Sequence, residues 1–341
     1  MIALRYSASR YAVKRLLLLL LPAMLLVAAG CTSDPAASAS AASDSIASDS
    51  IASDSVASPP AVPVRADSVD LPPSRAGDVQ PATNYEQALS DLLSQVVTAG
   101  GNVRYDLLRG ERNDQFRRVL KAVEDFDASR LSSQSAKMAF WINAYNVQML
   151  ANVLEAWPVR DVSAHDKLFF NQPLRTAGAA LSLDQIENVI LRRRSGPERA
   201  EQFQVGRLDP RLHAAVNCAA RSCPRLRQKA YTPERMGAML DAAMRDFTGH
   251  REHFRRAEDG GDFVFNSILK WYGADFDRPD GTPAGDYLLS FMPEARPGYD
   301  ALRGVLEGRS AAELQKRENT SFAYDWTLNA TPSAMPERAS S

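Results

Sequence analysis

Cysteine and histidine are scarce in this chain, 3 and 4 residues in 341, so any thiol, imidazole or metal chemistry must lie among a handful of positions. The one long apolar run, residues 16–29, is shorter than the ~20 residues a membrane-spanning helix needs. Residues 32–81 contain no aromatic side chain, which excludes a packed core there. Dense basic runs are missing, and the 40 basic residues are matched by 41 acidic ones. That balance argues against nucleic acid as a partner.

The start of the chain carries Arg5, Arg10, Lys14 and Arg15, then the apolar run, then Val27-Ala28-Ala29-Gly30-Cys31. A basic start, a short apolar core and a small-residue exit describe a secretory signal peptide over residues 1–30. The exit resembles the lipobox of bacterial lipoproteins, in which the cysteine is acylated after cleavage. Cys31 is then the expected lipid-attachment residue and the membrane the expected partner through it. With Thr32 next and no aspartate there, the resemblance favours the outer membrane, facing the periplasm. Cleavage leaves 36 basic against 41 acidic residues, a formal charge of −5. Residues 31–82 are rich in Ala, Ser, Asp and Pro, and repeat Ser-Asp-Ser-Ile-Ala from Ser43 and Ser48, with Val56 replacing Ile in a third copy. Such a segment buries too little to offset the entropy of ordering, and reads as a disordered tether.

Residues 83–330 suit one domain, and 331–341 a disordered tail. Helical period places Leu89, Leu92, Leu93, Val96 and Val97 on one face, and Phe116, Val119, Leu120, Val123 and Phe126 on another. Thr232-Pro233 opens a third helix, Ser182 with Gln185 caps a fourth, and the longest runs from about Ser135 to Ala156. Expected strands are 103–105, a hairpin over 174–181, 212–216, 263–265 and 323–328. The expectation is α+β: a helix-rich single domain with a small, antiparallel sheet.

Three polar residues sit where apolar ones belong. Asn143 and Asn146 fall within the apolar arc of the longest helix, whose polar stripe reads Lys137, Gln148, Asn152 and Glu155. Each must bond backbone, or else orient a catalytic imidazole or donate to an oxyanion. Glu187 lies among Leu183, Ile186, Ile190 and Leu191. It must pair with an arginine or sit beside His213.

Trp141 to Asn146 (WINAYN), the run LSLDQIE ending at Glu187, the segment from His213 to Pro224, SILKWYGADF ending at Phe276 and YDWTLN ending at Asn329 occur in this order. On these motifs the chain resembles the family named domain of unknown function 547 (DUF547). The resemblance implies a helix-rich α+β domain found in bacterial envelope proteins and in plants, and no assigned activity. The family often carries histidine after the motif's glutamate, where this chain has Asn188.

The stretch RLHAAVNCAARSCP, residues 211–224, gathers His213, Cys218 and Cys223. In an oxidising compartment Cys218 and Cys223 suit a disulfide; reduced and buried they act as small apolar residues. Alternatively Cys223 is a nucleophile with His213 as base, and Glu187, Asn143 or Asn146 orienting the ring. If the strand ran regularly from Leu212 to Cys218, it would turn Cys218 away from His213 and leave Cys223 to fold back, with Pro224 opening a helical turn whose free amides lower the thiol pKa. Four-residue spacings do not match zinc knuckles, so no metal is expected, and no cofactor. Trp271, Tyr272, Tyr324 and Trp326 would line a substrate groove. His165, His250 and His253 read as solvated surface residues. Two functions stand side by side: a cysteine-dependent hydrolase or acyl transferase acting on an envelope peptide amide or ester, and a non-catalytic binding or scaffold module with a structural disulfide.

Overall fold

The structure, a computed structural model, describes residues 84–258 and 260–336. Cys31, the apolar run and the tether lie outside the described residues. Helices α1 (Asn84–Val96), α2 (Tyr105–Arg109), α3 (Asn113–Glu124) and α4 (Gln134–Glu155) come first. Ser133 caps α4 by accepting the Ala136 amide at 3.1 Å, and the helix is buried on nearly every side. Only the ends of the expected polar stripe reach water, at Glu155 and in part at Lys137: Gln148 and Asn152 are buried, donating to the carbonyls of Leu181 (2.9 Å) and Phe169 (2.8 Å). A helix surrounded by protein uses its amides to hold neighbouring backbone, because an unmade bond there costs roughly 1–3 kcal/mol.

Helix α5 (Asp166–Asn171) leads into the hairpin β1 (Leu174–Thr176) and β2 (Ala179–Leu181), turning at Ala177 and Gly178 with positive φ. The expected capping box forms, Ser182 and Gln185 exchanging two bonds of 3.2 Å. The helix it opens, Gln185–Leu191, is a π-helix, in which the Arg192 amide reaches Glu187 O.

After α6 (Glu198–Glu201) comes the largest departure from expectation. Residues 212–216 are not a strand; Pro210–Ala214 is a 3-10 helix. Asp209 accepts the Arg211 amide at 3.1 Å and Pro210 occupies the first position, a start signal that outweighs a short apolar run. Helix α7 (Met236–Gly249) follows a 3-10 turn begun at Pro233.

A three-stranded sheet orders β3 (Phe254–Arg256), β4 (Phe263–Asn266) and β5 (Thr320–Ala323), with α8 (Ile268–Phe276), α9 (Ala284–Leu289), α10 (Tyr299–Leu306) and α11 (Ala311–Lys316) between the last two. The fold is α+β, as expected, and the sheets are mostly antiparallel; the exception is the parallel pair β4–β5, joined by the four-helix crossover. Val103 forms only isolated bridges, to Val97 and Ala330, and Tyr105 begins a helix; 324–328 leaves the sheet after Ala323. The chain also stays packed beyond 330: the Thr331 amide bonds Val103 O and Ala334 is buried. One apolar cluster surrounds α4, another the three-stranded sheet; Tyr324 packs against both. Among the described residues no helix is long and apolar enough to cross a membrane.

Candidate functional site

A cleft of about 380 Å³ opens beside Tyr324. It brings together Glu187, His213, Cys218, Cys223, Trp271, Tyr272 and Trp326. Asn143 and Asn146 are not in it. Asn143 exchanges two bonds with the Tyr231 backbone (2.8 and 2.9 Å). Asn146 donates to Ala215 O at 3.1 Å and accepts the Asn217 amide at 2.8 Å. Both are staples, and neither bonds His213.

The partner of His213 is Asp275, on α8. His213 Nε2 lies 2.9 Å from Asp275 Oδ2, which also accepts Arg192 Nε at 2.6 Å; Arg194 donates to the other oxygen at 3.1 Å. Burial works to raise the Asp275 carboxyl, but hydrogen bonds and charges from His213 and Arg192 hold it well below the usual carboxylate range. An ionised carboxylate only accepts, so in its neutral form the imidazole has its proton on Nε2 and its lone pair on Nδ1. That Nδ1 is buried without a hydrogen-bond partner. The ring stacks on Tyr272, centroids 4.3 Å apart, and Arg192 also lies over that phenol, 4.7 Å from its centroid.

Glu187 turns inward from the π-helix and is buried. The phenols of Tyr145 and Tyr272 lie close enough to feel its charge. Burial first, and then the Glu187 charge, pushes the phenols of Tyr145, Tyr272 and Tyr324 well up. All three stay protonated, and the Tyr324 hydroxyl lies against the Cys218 and Cys223 sulfurs. The expected arginine or histidine partner of Glu187 is replaced by Tyr145 and Tyr272.

Cys218 and Cys223 are joined as a disulfide, their Cα atoms 5.9 Å apart. The Tyr324 hydroxyl lies 2.9 Å from Cys218 Sγ and 3.1 Å from Cys223 Sγ. Because residues 212–216 are not a strand, the expected opposition of Cys218 and His213 disappears, and both sulfurs border the cleft. No helix opens at Pro224. The amide facing the Cys223 sulfur is that of Cys218, at 2.9 Å. The loop is tied down by Asn217, which donates to Pro224 O (2.7 Å) and accepts from Ala219 N (3.0 Å) and Asn329 (3.2 Å). Among the described residues no group of three or more His, Cys, Asp or Glu side chains suits a metal ion.

At the mouth, Trp271 is 44% exposed and stands 5.7 Å from Trp326 and 4.9 Å from Tyr324, centroid to centroid. Asp275 is the residue that sequence reasoning missed, although the signal was present. It belongs to the inward stripe of Ile268, Leu269 and Phe276, and a carboxylate in such a stripe demands a partner, by the reasoning that singled out Glu187.

Residues 128–248 match a family described as Protein of unknown function, DUF547. A DUF547 domain is present. No curated protein and no solved structure matches the chain. The DUF547 match takes in α4, the π-helix, His213 and both cysteines. It ends within α7, so Asp275, Tyr272, Trp271, Tyr324 and Trp326 reach the cleft from beyond it, and the resemblance read over 267–276 and 324–329 lies outside the matched span.

Proposed function

We propose that the cleft is the working site of a lipid-anchored cell-envelope protein, and that it performs cysteine-dependent hydrolysis or acyl transfer on an envelope amide or ester. The observation that carries this reading is His213: Nε2 fixed on an ionised carboxylate, Nδ1 unpartnered, and a sulfur in the same cleft. A base held by a carboxylate and presenting one lone pair is what thiol activation requires.

The disulfide is the resting form. A dithiol reductant becomes a disulfide as Cys218 and Cys223 take up two electrons and two protons. Cys223 then passes its proton to His213 Nδ1, and the thiolate attacks the carbonyl carbon. The imidazolium returns the proton to the leaving amine or alcohol, giving an acyl-Cys223 thioester. Water or an acceptor nucleophile, deprotonated by His213, releases the acyl group and restores the thiol. The Cys218 amide, facing Sγ, favours the thiolate. Trp271, Tyr272 and Trp326 provide an apolar wall for the substrate.

The second reading is a binding or scaffold module. It is favoured by the disulfide together with the burial of Cys223, 5% exposed. Iodoacetamide labelling after mild reduction separates the two. Acyl transfer predicts fast alkylation of Cys223 near neutral pH, lost in His213→Ala. Equal, slow labelling of both cysteines irrespective of His213, or no reduction short of unfolding, leaves the binding module. Attachment through Cys31 rests on the lipobox and is tested by the intact mass of the mature chain.

A further inference from the structure

Away from the cleft, Arg296 is buried, 8% exposed, without a carboxylate partner among the described residues. It donates to the carbonyls of Phe254 (2.7 Å) and His250 (3.4 Å) and toward Met292 Sδ (3.8 Å), and its Nε is buried and unpartnered. A guanidinium removed from water without a counter-charge is expensive. Its surroundings add to that cost. Arg251, Arg255 and Arg256 line the same groove of about 530 Å³. Glu252 and Arg255 also line a second groove of about 630 Å³, together with Arg221 and Arg225.

The acids bordering the two grooves are fewer: Glu252, bound to Arg255 at 3.5 Å, Glu258, and Asp325, which accepts the Thr327 amide. The stem of Arg225 is held against Gly101, where φ is +85° and an added Cβ would come within 2.8 Å of Arg225 Cβ. In the larger groove His250 and His253 lie together, ring centroids 4.4 Å apart and planes tilted by 33°. They are not solvated as their sequence context suggested: His253 is 3% exposed and His250 is half-buried. Burial first, and to a lesser extent the charges of Arg225 and Arg296, pushes both imidazoles down.

We propose that this double groove is an anion site for a phosphate group. Guanidinium forks arriving from several sides suit an anion with three terminal oxygens better than a carboxylate, which one fork satisfies. The site is independent of the acyl-transfer reading, although Cys223 and Tyr324 border both the cleft and the larger groove.

The test is calorimetric titration of the full chain, in neutral detergent at low salt, with pyrophosphate. Binding is expected, weakened about ten-fold by Arg225→Ala and by Arg251→Ala, and unchanged by Arg118→Ala on the exposed side of α3. Equal melting temperatures show that the variants fold. Micelles doped with phosphatidylglycerol, against phosphatidylcholine, distinguish the source: displacement of pyrophosphate assigns a lipid headgroup, and its absence a free phosphate. No binding of either anion, or affinity unaltered in both arginine variants, overturns the proposal.

Discussion

His213 and Asp275, 62 residues apart, meet at 2.9 Å, the imidazole fixed through Nε2 while Nδ1 stays unpartnered. The same carboxylate oxygen takes Arg192 at 2.6 Å, so Asp275 neutralises a guanidinium and orients a base at once. This pair decides how the cleft is read, and it joins a 3-10 helix to α8 across the boundary of the DUF547 match.

Asp275→Asn keeps the shape but removes the charge that both partners need. Breaking a buried ion pair costs about 3–5 kcal/mol, so urea denaturation should show a loss of that order. The folded pKa of Asp275 is depressed, so its stabilisation is present above the unfolded carboxylate value near 4 and is lost as pH falls through the folded value. Stability of the wild type should decline below about pH 4, and that part of the decline should vanish in the variant.

His253 gives a different acid dependence. Burial, the neighbouring His250 and two arginines push its imidazole down to about 3, below the unfolded value near 6.5. The unfolded chain therefore binds the extra proton, and stability is complete above the unfolded value and lost as pH falls from there toward 3. Denaturation between pH 7 and 4 should show greater proton uptake on unfolding in the wild type than in His253→Gln, the difference approaching about one proton below the unfolded value.

Opening the Cys218–Cys223 bridge by Cys218→Ser relaxes a six-residue loop. Chain entropy assigns such a loop about 2 kcal/mol. The network through Asn217 and Asn329 should keep the loop in place, so the melting temperature should fall while near-ultraviolet circular dichroism of the folded state is retained.

Asn143→Leu tests the staple on α4. It strands the buried amide and carbonyl of Tyr231, at a cost of about 1–3 kcal/mol for each group. Its effect should appear in stability, measured by urea denaturation, and leave alkylation of reduced Cys223 unchanged.

The buried positions of Asn143, Asn146 and Glu187 were legible in sequence, because helical period fixes which residues share a face. The same period led Gln148 and Asn152 to be read as solvent-facing, since it cannot say whether a helix has protein on every side. Pro210 after Asp209 carried the signal against a strand, but the apolar run masked it. The hairpin at Ala177-Gly178 and the Ser182 capping box were readable because they need only neighbours in the chain.

The amino-acid sequence by itself determined α1, α3, α4 and α7, the hairpin, the scarcity of reactive groups and the segment in which His213 and both cysteines fall. These follow from local backbone preferences and from the periodicity of apolar residues. Only the tertiary structure decided that Asp275 holds the histidine, that the Tyr324 hydroxyl lies against both sulfurs, and that Arg296 is buried without a carboxylate partner among the described residues. Each depends on side chains distant in sequence whose charges must be matched, or left unmatched, in space, and periodicity along a chain carries no record of what lies across from it.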